Sequence, residues 1–389
     1  MLSQSEIPLI LDTKALADFC ENLANDAFIT VDTEFLRETT YYPKLCLIQI
    51  AGEKAAALID PLAKGLDLKP FYELMTDENV LKVFHAARQD IEIFVNEAGL
   101  VPSPVFDTQI AAMVCGFGDQ VGYEAIVRKL AKAQIDKSAQ FTDWSRRPLS
   151  QRQMTYALSD VTHLRTVYER LRDEIDKEGR GDWLAGDLEE LADPNTYRVD
   201  PEQSWRRIKA RIQSKKQQAT LMAVAAWRER EAQAKNVPRG RIIKDEAVAE
   251  IAIQVPQNKE ALHQLRLLPR GSADSVIGKG ILAAVAEGLA RDPASIPAAK
   301  GRGEEMTSSQ EAAAEVLKLA LKIVSERENV APKLIANSSD IDAIAMSDEA
   351  DVPAMHGWRR AIFGELALQL KHGKALIGME SGRARIVKR

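Results

Sequence analysis

Residues 27–38, Ala-Phe-Ile-Thr-Val-Asp-Thr-Glu-Phe-Leu-Arg-Glu, set two acids into an apolar, β-branched run. Such a run favours an extended backbone on a half-buried surface. Successive strand side chains alternate between faces, so Asp32 and Glu34 project side by side. Unpaired carboxylates so placed repel each other and destabilise a sheet. Two arrangements remove the conflict. Either the strand ends there and both acids face water, or a dication lies between them. Hard oxygen donors suit Mg²⁺ or Mn²⁺. Asp-x-Glu is too short a motif to decide alone, so the choice falls to what surrounds it.

A short helix is expected over 13–25, ahead of this strand, with Leu16, Phe19, Cys20 and Leu23 on one face. Strands at Leu45–Ile50 and Ala56–Ile59, split by Gly52-Glu53-Lys54, extend it into an antiparallel meander. The pattern then changes to βα units. A helix near 67–76 precedes a strand at Leu81–Phe84, a helix follows at 88–98, and a strand at Val105-Phe106 leads into a helix capped by Asp107. After a helical stretch at 121–133 and a loop from Asp136 to Ser150, Ser150 caps a long helix reaching about Glu178. A meander followed by βα units implies a mixed sheet flanked by helices. This α/β domain is expected to occupy residues 1–178 and to fold without the rest.

Residues 179–203, rich in Gly, Asp and Pro, read as a linker or arm, and everything beyond Ser204 reads as helix. A second break at 292–309 divides this region into segments 204–291 and 310–389. The two resemble each other. The run from Val237 to Ala252 realigns on the run from Val330 to Ala345 at a constant offset, pairing Ile242 with Ile335, Val248 with Ile341 and Ile251 with Ile344. Asp245 and Ser338 match as caps. The chain therefore reads as two copies of one small helical module.

With 389 residues there is room for two or three such domains. A net charge of −5 does not exclude nucleic acid, because an enzyme that holds cations through carboxylates can be acidic overall. Three scattered cysteines, with no Cys-x-x-Cys, argue against zinc ribbons and disulfide frameworks and fit a reducing cytosol. No basic n-region with an apolar stretch and no apolar run of about 20 residues is present, so neither leader nor membrane span is expected.

Further acids complete the pattern. Asp90 sits in Lys82-Val-Phe-His-Ala-Ala-Arg-Gln-Asp-Ile, on the first turns of a helix after a buried strand. Ligands gather beyond strand ends in open α/β sheets, although an acid there also simply suits the helix dipole. Tyr156 and Asp160, spaced i and i+4 on the long helix, share a face.

The ordered set Asp32, Glu34, Asp90, Tyr156, Asp160 resembles the DEDD superfamily of 3′-to-5′ exonucleases, in the subclass where a tyrosine precedes the last acid. Its sister subclass carries histidine five residues before that acid, where Thr155 stands here. His163 lies on the wrong side, and His85 belongs to the Asp90 motif. Val31-Asp-Thr-Glu-Phe-Leu-Arg-Glu, Leu45-Cys-Leu-Ile-Gln-Ile, Asp136-Lys-Ser, Trp144-Ser-Arg-Arg-Pro-Leu-Ser and Tyr156-Ala-Leu-Ser-Asp160-Val are similar to the ribonuclease D family. The helical modules resemble the HRDC domains of that family. The resemblance implies a ribonuclease H-like nuclease domain followed by two all-α HRDC-like domains. It implies two divalent cations, Mg²⁺ or Mn²⁺, about 4 Å apart on Asp32, Glu34, Asp90 and Asp160. It gives Tyr156 the task of orienting the attacking water, by hydrogen bonding, since a free phenol is protonated at neutral pH. The implied reaction releases nucleoside 5′-monophosphates, without an organic cofactor, from structured RNA such as tRNA precursors. A cytoplasmic location is expected; the oligomeric state stays open, with a monomer favoured.

Substrate contacts stay open at this level. Phe35 and Leu36 either meet the terminal base or bury in the sheet. Lys137, Arg146 and Arg147 either touch phosphates or are solvated. Lys209, Arg211, Lys215, Arg239, Arg241 and Lys244 form either a phosphate-tracking surface or an ordinary solvated face. Two rival functions fit the same residues: a Werner-type DNA exonuclease, and a catalytically silent RNA-binding scaffold.

Overall fold

The computed structural model describes residues 7–297 and 306–388. The chain divides into two compact units, one built from positions 1–34, 46–196 and 305–389, the other from 35–45 and 197–304.

The first unit begins with β1 (Leu9–Ile10), which the sequence reading missed, and α1 (Thr13–Leu23). Asp12 starts α1 by accepting from the Ala15 N–H at 2.9 Å. β2 (Phe28–Leu36), β3 (Lys44–Ala51) and β4 (Ala56–Ile59) follow, then α2 (Lys69–Met75), β5 (Leu81–Phe84), α3 (Arg88–Ala98) and β6 (Val105–Asp107). The sheet order is β1-β4-β3-β2-β5-β6. β3 and β4 are antiparallel, while the pairs β1–β4, β2–β5 and β5–β6 are parallel. The expected mixed sheet is thus what forms, with β2 inside it. Thr30 stands opposite Val83, so Asp32 and Glu34 lie past the last residue of β5, where the chain turns into α3. α4 (Thr108–Val114), α5 (Tyr123–Leu130) and α6 (Gln151–Glu178) complete this part. A capping box of Ser150 and Gln153 opens α6, and Gly179, at φ 65°, closes it. α6 lies on β2, where the Thr30 hydroxyl donates to the Val161 carbonyl at 2.8 Å.

Lys82, on β5, is 0 % exposed. Its ammonium donates to the carbonyls of Asp77, Val80 and Ser103 at 2.6, 2.7 and 2.5 Å. Three donors meet three acceptors, which keeps a charge tolerable in the core although burial lowers its pKa to about 8. Lys82→Met fills the volume but orphans those carbonyls. It should lower stability by about 3 kcal/mol, read as a denaturation midpoint. A midpoint within about a degree of wild type would show that the carbonyls do not need the lysine.

Residues 179–203, expected as a linker or arm, carry α7 (Ala185–Ala192), with Leu184 and Leu191 buried. The second unit then holds α8 (Lys215–Lys235), α9 (Arg239–Ile242), α10 (Asp245–Gln254), α11 (Lys259–His263) and α12 (Val276–Ala290). Leu221, Val224, Val248, Ile251, Ile281 and Val285 form its core. A Cβ at Gly288 would lie 2.7 Å from the Ala219 carbonyl oxygen, so α12 crosses α8 at a separation that glycine alone permits. Glu229 is 0 % exposed. It is matched by Arg239, whose Nε and Nη2 each lie 2.6 Å from a carboxylate oxygen, and by the Tyr41 hydroxyl.

Back in the first unit, α13 (Ser308–Glu328), α14 (Pro332–Ile335) and α15 (Ser338–Met346) repeat the order and starting positions of α8, α9 and α10 at the offset read from the sequence, α15 being one residue shorter than α10. Asn236 and Asn329 end the two long helices in the left-handed region, at φ 47° and 49°. The caps fall one residue earlier than expected. Lys244 and Asn337 occupy the N-cap positions, while Asp245 lies in the first turn and pairs with the buried Arg228 at 2.6 Å. α16 (Gly357–Arg359) runs through a π turn (Arg360–Gly364) into α17 (Glu365–Lys371), and a hairpin of β7 (Ala375–Glu380) and β8 (Arg383–Lys388) follows. The break expected at 292–309 lies partly outside the described residues.

The expectation that residues 1–178 fold without the helical modules is not how this core is built. Ala111, Val114 and Leu164 share one apolar cluster with Leu317, Ile335, Ile344 and Phe363. Arg180 donates to the Val114 carbonyl at 3.0 Å and the Glu328 carbonyl at 2.8 Å, and the Ala331 N–H reaches the Met113 carbonyl at 2.9 Å. Trp183 stacks on Trp358 with centroids 4.3 Å apart. The last helical segment therefore covers a face that the α/β residues leave apolar.

Candidate active site

Alternation along β2 turns Asp32 and Glu34 to one face, past the end of β5. The turn after β5 then decides where Asp90 goes. Ala86 adopts φ 62°, a conformation that costs a residue with a Cβ. Buried Asp107 holds it there, accepting from the N–H groups of Ala86, Ala87 and Gln109 at 3.0, 2.8 and 2.7 Å. Asp107 is thus more than the helix cap read from the sequence. Asp90, on the first turn of α3, accepts from the Thr33 hydroxyl at 2.5 Å. α6 supplies Tyr156 and Asp160 one turn apart, with the phenol hydrogen-bonded to the carboxylate.

These groups feel one another. Burial raises the Asp32 pKa well above the ordinary value, with Asp160 adding to the shift. Glu34 rises to about 10, through burial first and then the charges of Asp32, Asp160 and Asp90. Asp90 rises through burial and Asp32. Burial takes Asp160 to about 8, against the Tyr156 hydrogen bond and the Lys137 charge, which lower it. The Tyr156 phenol is pushed above its ordinary value by burial and by Asp160, so at neutral pH it is a donor. Asp160 Oδ1 is buried with no hydrogen-bond partner.

A cleft of about 90 Å³ opens among Asp32, His85, Tyr123, Tyr156, Asp160 and Leu164. Neither His85 nor Tyr123 stood out in the sequence as part of the site. His85 is fixed by Thr108 Oγ1 at 2.9 Å and the Val121 carbonyl at 3.0 Å, and the Tyr123 hydroxyl donates to the Ser159 carbonyl at 3.1 Å. Among the described residues, no three His, Cys, Asp or Glu side chains close around a single ion position. The donor chemistry nonetheless fits a hard dication, since four mutually repelling carboxylates and an orphaned oxygen need positive charge. Mg²⁺ characteristically takes one or two carboxylates and fills its remaining positions with water and substrate phosphate.

The flanking residues separate. Lys137 pairs with Glu124 at 2.9 Å while its charge reaches Asp160. Arg146 is exposed, beside Asp143 at 3.1 Å. Arg147 has no donor left for phosphate. Nε and Nη2 grip Asp60, each at 2.6 Å, Nη2 also reaches the Cys46 carbonyl, and Nη1 donates to the carbonyls of Trp144 and Arg146. All five guanidinium N–H groups are used, which corrects its reading as a phosphate contact. Phe35 and Leu36, partly buried, end β2.

A family profile described as a 3′-5′ exonuclease matches residues 8–176, and one described as the HRDC domain matches residues 217–285. The chain is 51% identical to ribonuclease D of Nitrobacter hamburgensis over 98% of this chain and 99% of that one. The chain belongs to the ribonuclease D family. Ribonuclease D of Granulibacter bethesdensis is 48% identical over 99% of this chain and 98% of its own length. Escherichia coli RNase D, described as an exoribonuclease involved in structured RNA processing, superimposes with a TM-score of 0.79 at 29% identity, covering 95% of this chain and 99% of that one. As a member of this family, the protein is a hydrolase, a 3′-5′ exoribonuclease, and its substrate is RNA. The exonuclease family implies dependence on a divalent metal. No helix among the described residues is long and apolar enough to cross a membrane.

Proposed function

We propose that Asp32, Glu34, Asp90 and Asp160 hold two divalent cations, Mg²⁺ or Mn²⁺, and that Tyr156 orients the water that attacks the terminal phosphodiester. The observation that carries this is the mutual repulsion of four carboxylates set close together, two of them, Asp90 and Asp160, buried, in a fold that spends hydrogen bonds on aiming them. Bound cations would lower the pKa of the attacking water and neutralise charge on the leaving 3′ oxygen. Thr33 holds Asp90, and Asp107 holds the turn that presents it. Tyr156, kept protonated by burial and by its acidic neighbours, gives a hydrogen bond and takes no proton. Tyr123 and His85 wall the cleft and restrict water. Lys137 steadies phosphate charge beside Asp160, with Arg146 further out, and Phe35 and Leu36 meet the terminal base.

The substrate is structured RNA with a short single-stranded 3′ tail, tRNA precursors among it, acted on in the cytoplasm. On the first helical module, Lys209, Arg211, Arg241 and Lys244 are exposed and suit phosphate tracking. Arg239 does not, because Glu229 holds it, and Lys215 donates to the Pro293 carbonyl at 2.8 Å. The working division is a nuclease segment over 1–178, a first helical module over 204–291 and a second over 310–389.

End-labelled RNA and DNA of one sequence, with and without EDTA, test the reading. RNA should be shortened one nucleotide at a time, and EDTA should stop it. Preferential laddering of DNA would favour the Werner-type rival, and binding without cleavage would favour the scaffold.

A further inference from the structure

The loop before α6 carries a feature that the chemistry at Asp160 leaves unused. Phe141 is 93% exposed, the most exposed large apolar side chain among the described residues. In the same loop its neighbours Ala139 and Thr142 line a hollow of about 350 Å³ together with Ser138, Arg146, Arg152 and Gln153, among others. Arg146 and Arg152 are 83% and 63% exposed. The loop is anchored to α6, where Gln153 Nε2 donates to the Thr142 hydroxyl at 3.1 Å. Trp144, buried in the same loop, packs its ring 6.1 Å from that of Tyr156. Phe141 therefore stands on a support joined to the active-site helix.

We infer that Phe141 is a stacking platform for an upstream base of the single-stranded RNA, with Arg146 and Arg152 receiving the adjoining phosphates. This rests on the exoribonuclease reading and adds a subsite to it. A bare aromatic ring on a loop whose adjoining hollow is lined by exposed guanidiniums offers the two elements that bind single strands without sequence preference, stacking and charge. The exposed phenyl ring leaves its π face open for stacking, and RNA is the polymer this enzyme handles. Both arginines have carboxylate neighbours, Asp143 at 3.1 Å and Asp136 at 3.5 Å. Exposed pairs of this kind are weak and are readily exchanged for phosphate. Arg152 and Asp160 are eight residues apart on one helix, about 12 Å along its axis. That distance corresponds to about three or four stacked nucleotides, or fewer if the strand is extended. The platform should act only on RNA long enough to reach it.

The experiment compares Phe141→Ala, Phe141→Leu and Phe141→Trp on a dinucleotide and on an eight-nucleotide single-stranded RNA. Phe141→Ala should raise KM for the octamer by roughly ten-fold, at least five times more than for the dinucleotide. Phe141→Trp should restore it, and Phe141→Leu, apolar but without a π face, should not. Fluorescence anisotropy of the octamer in EDTA, using full-length protein, should show the same roughly ten-fold loss of affinity without turnover. That arm separates failure of the platform from failure of the exonuclease reading. Equal losses on both lengths, rescue by leucine as good as by tryptophan, or unchanged octamer affinity would each overturn the inference.

Discussion

Asp160→Asn is expected to abolish RNA cleavage in Mg²⁺ and, at the same time, to make the metal-free protein more stable at pH 8. The first effect follows from the proposed ligand set, since two dications held against their mutual repulsion cannot spare a negative ligand. The second follows from burial. Burial pushes the Asp160 carboxyl up to about 8 in the folded chain, from an ordinary value of 3.8. Its folded pKa lies above the unfolded one, so its contribution to stability is fully present below about pH 4 and is lost as pH rises through about 8. Each pH unit of displacement is worth about 1.4 kcal/mol. Asp32, Glu34 and Asp90 are displaced in the same direction, so the slope should be steep for the wild type and shallower for Asp160→Asn. Saturating Mn²⁺ should flatten the wild-type slope and restore a little turnover to the variant. Thermal midpoints from pH 5 to 8, with EDTA and with Mn²⁺, beside single-turnover rates, read all of this. Wild-type cleavage by the variant would remove Asp160 from the ligand set. A pH-independent midpoint in EDTA would mean that the carboxylates do not strain one another.

What the sequence disclosed about this site was what local rules can carry. Alternation over Asp32 and Glu34, the Tyr156–Asp160 turn and the Ser150 cap depend on neighbours a few residues away, and such periodicities are written directly in the chain. The constant offset between the helical modules survived for the same reason, down to the paired left-handed Asn236 and Asn329. Partners across the fold left no such trace. Lys137, Arg146 and Arg147 look alike in one loop, yet Asp60, far earlier in the chain, decides that Arg147 is a clasp. Arg239 looked like a surface cation until Glu229 claimed it. Asp107 read as a helix cap because its second task, holding Ala86, joins two strand ends. Tyr123 and His85 reach the cleft from segments whose periodicity reads only as helix and strand. The apolar face of α4 is covered by α13 and α14, and nothing near it in the chain named those helices as its cover.

Tyr156→Phe should lower turnover by roughly 10²–10³ while leaving metal affinity and RNA affinity close to wild type. The substitution deletes one hydroxyl and keeps the ring that packs beside Trp144, so the fold has little reason to respond. That hydroxyl is hydrogen-bonded to Asp160, and burial with Asp160's charge holds the phenol protonated. Any catalytic contribution must therefore come from where the hydrogen bond points, and the loss should belong to the chemical step and not to binding. Excess Mn²⁺ can compensate for a weakened ligand but cannot replace an absent hydroxyl, so a metal titration should move Asp160→Asn and leave Tyr156→Phe where it was. The measurement is single-turnover cleavage of a single-stranded RNA across pH and Mn²⁺. A Tyr156→Phe enzyme that cleaves at the wild-type rate under those conditions would make Tyr156 a packing residue and leave the positioning of water to other groups in the cleft.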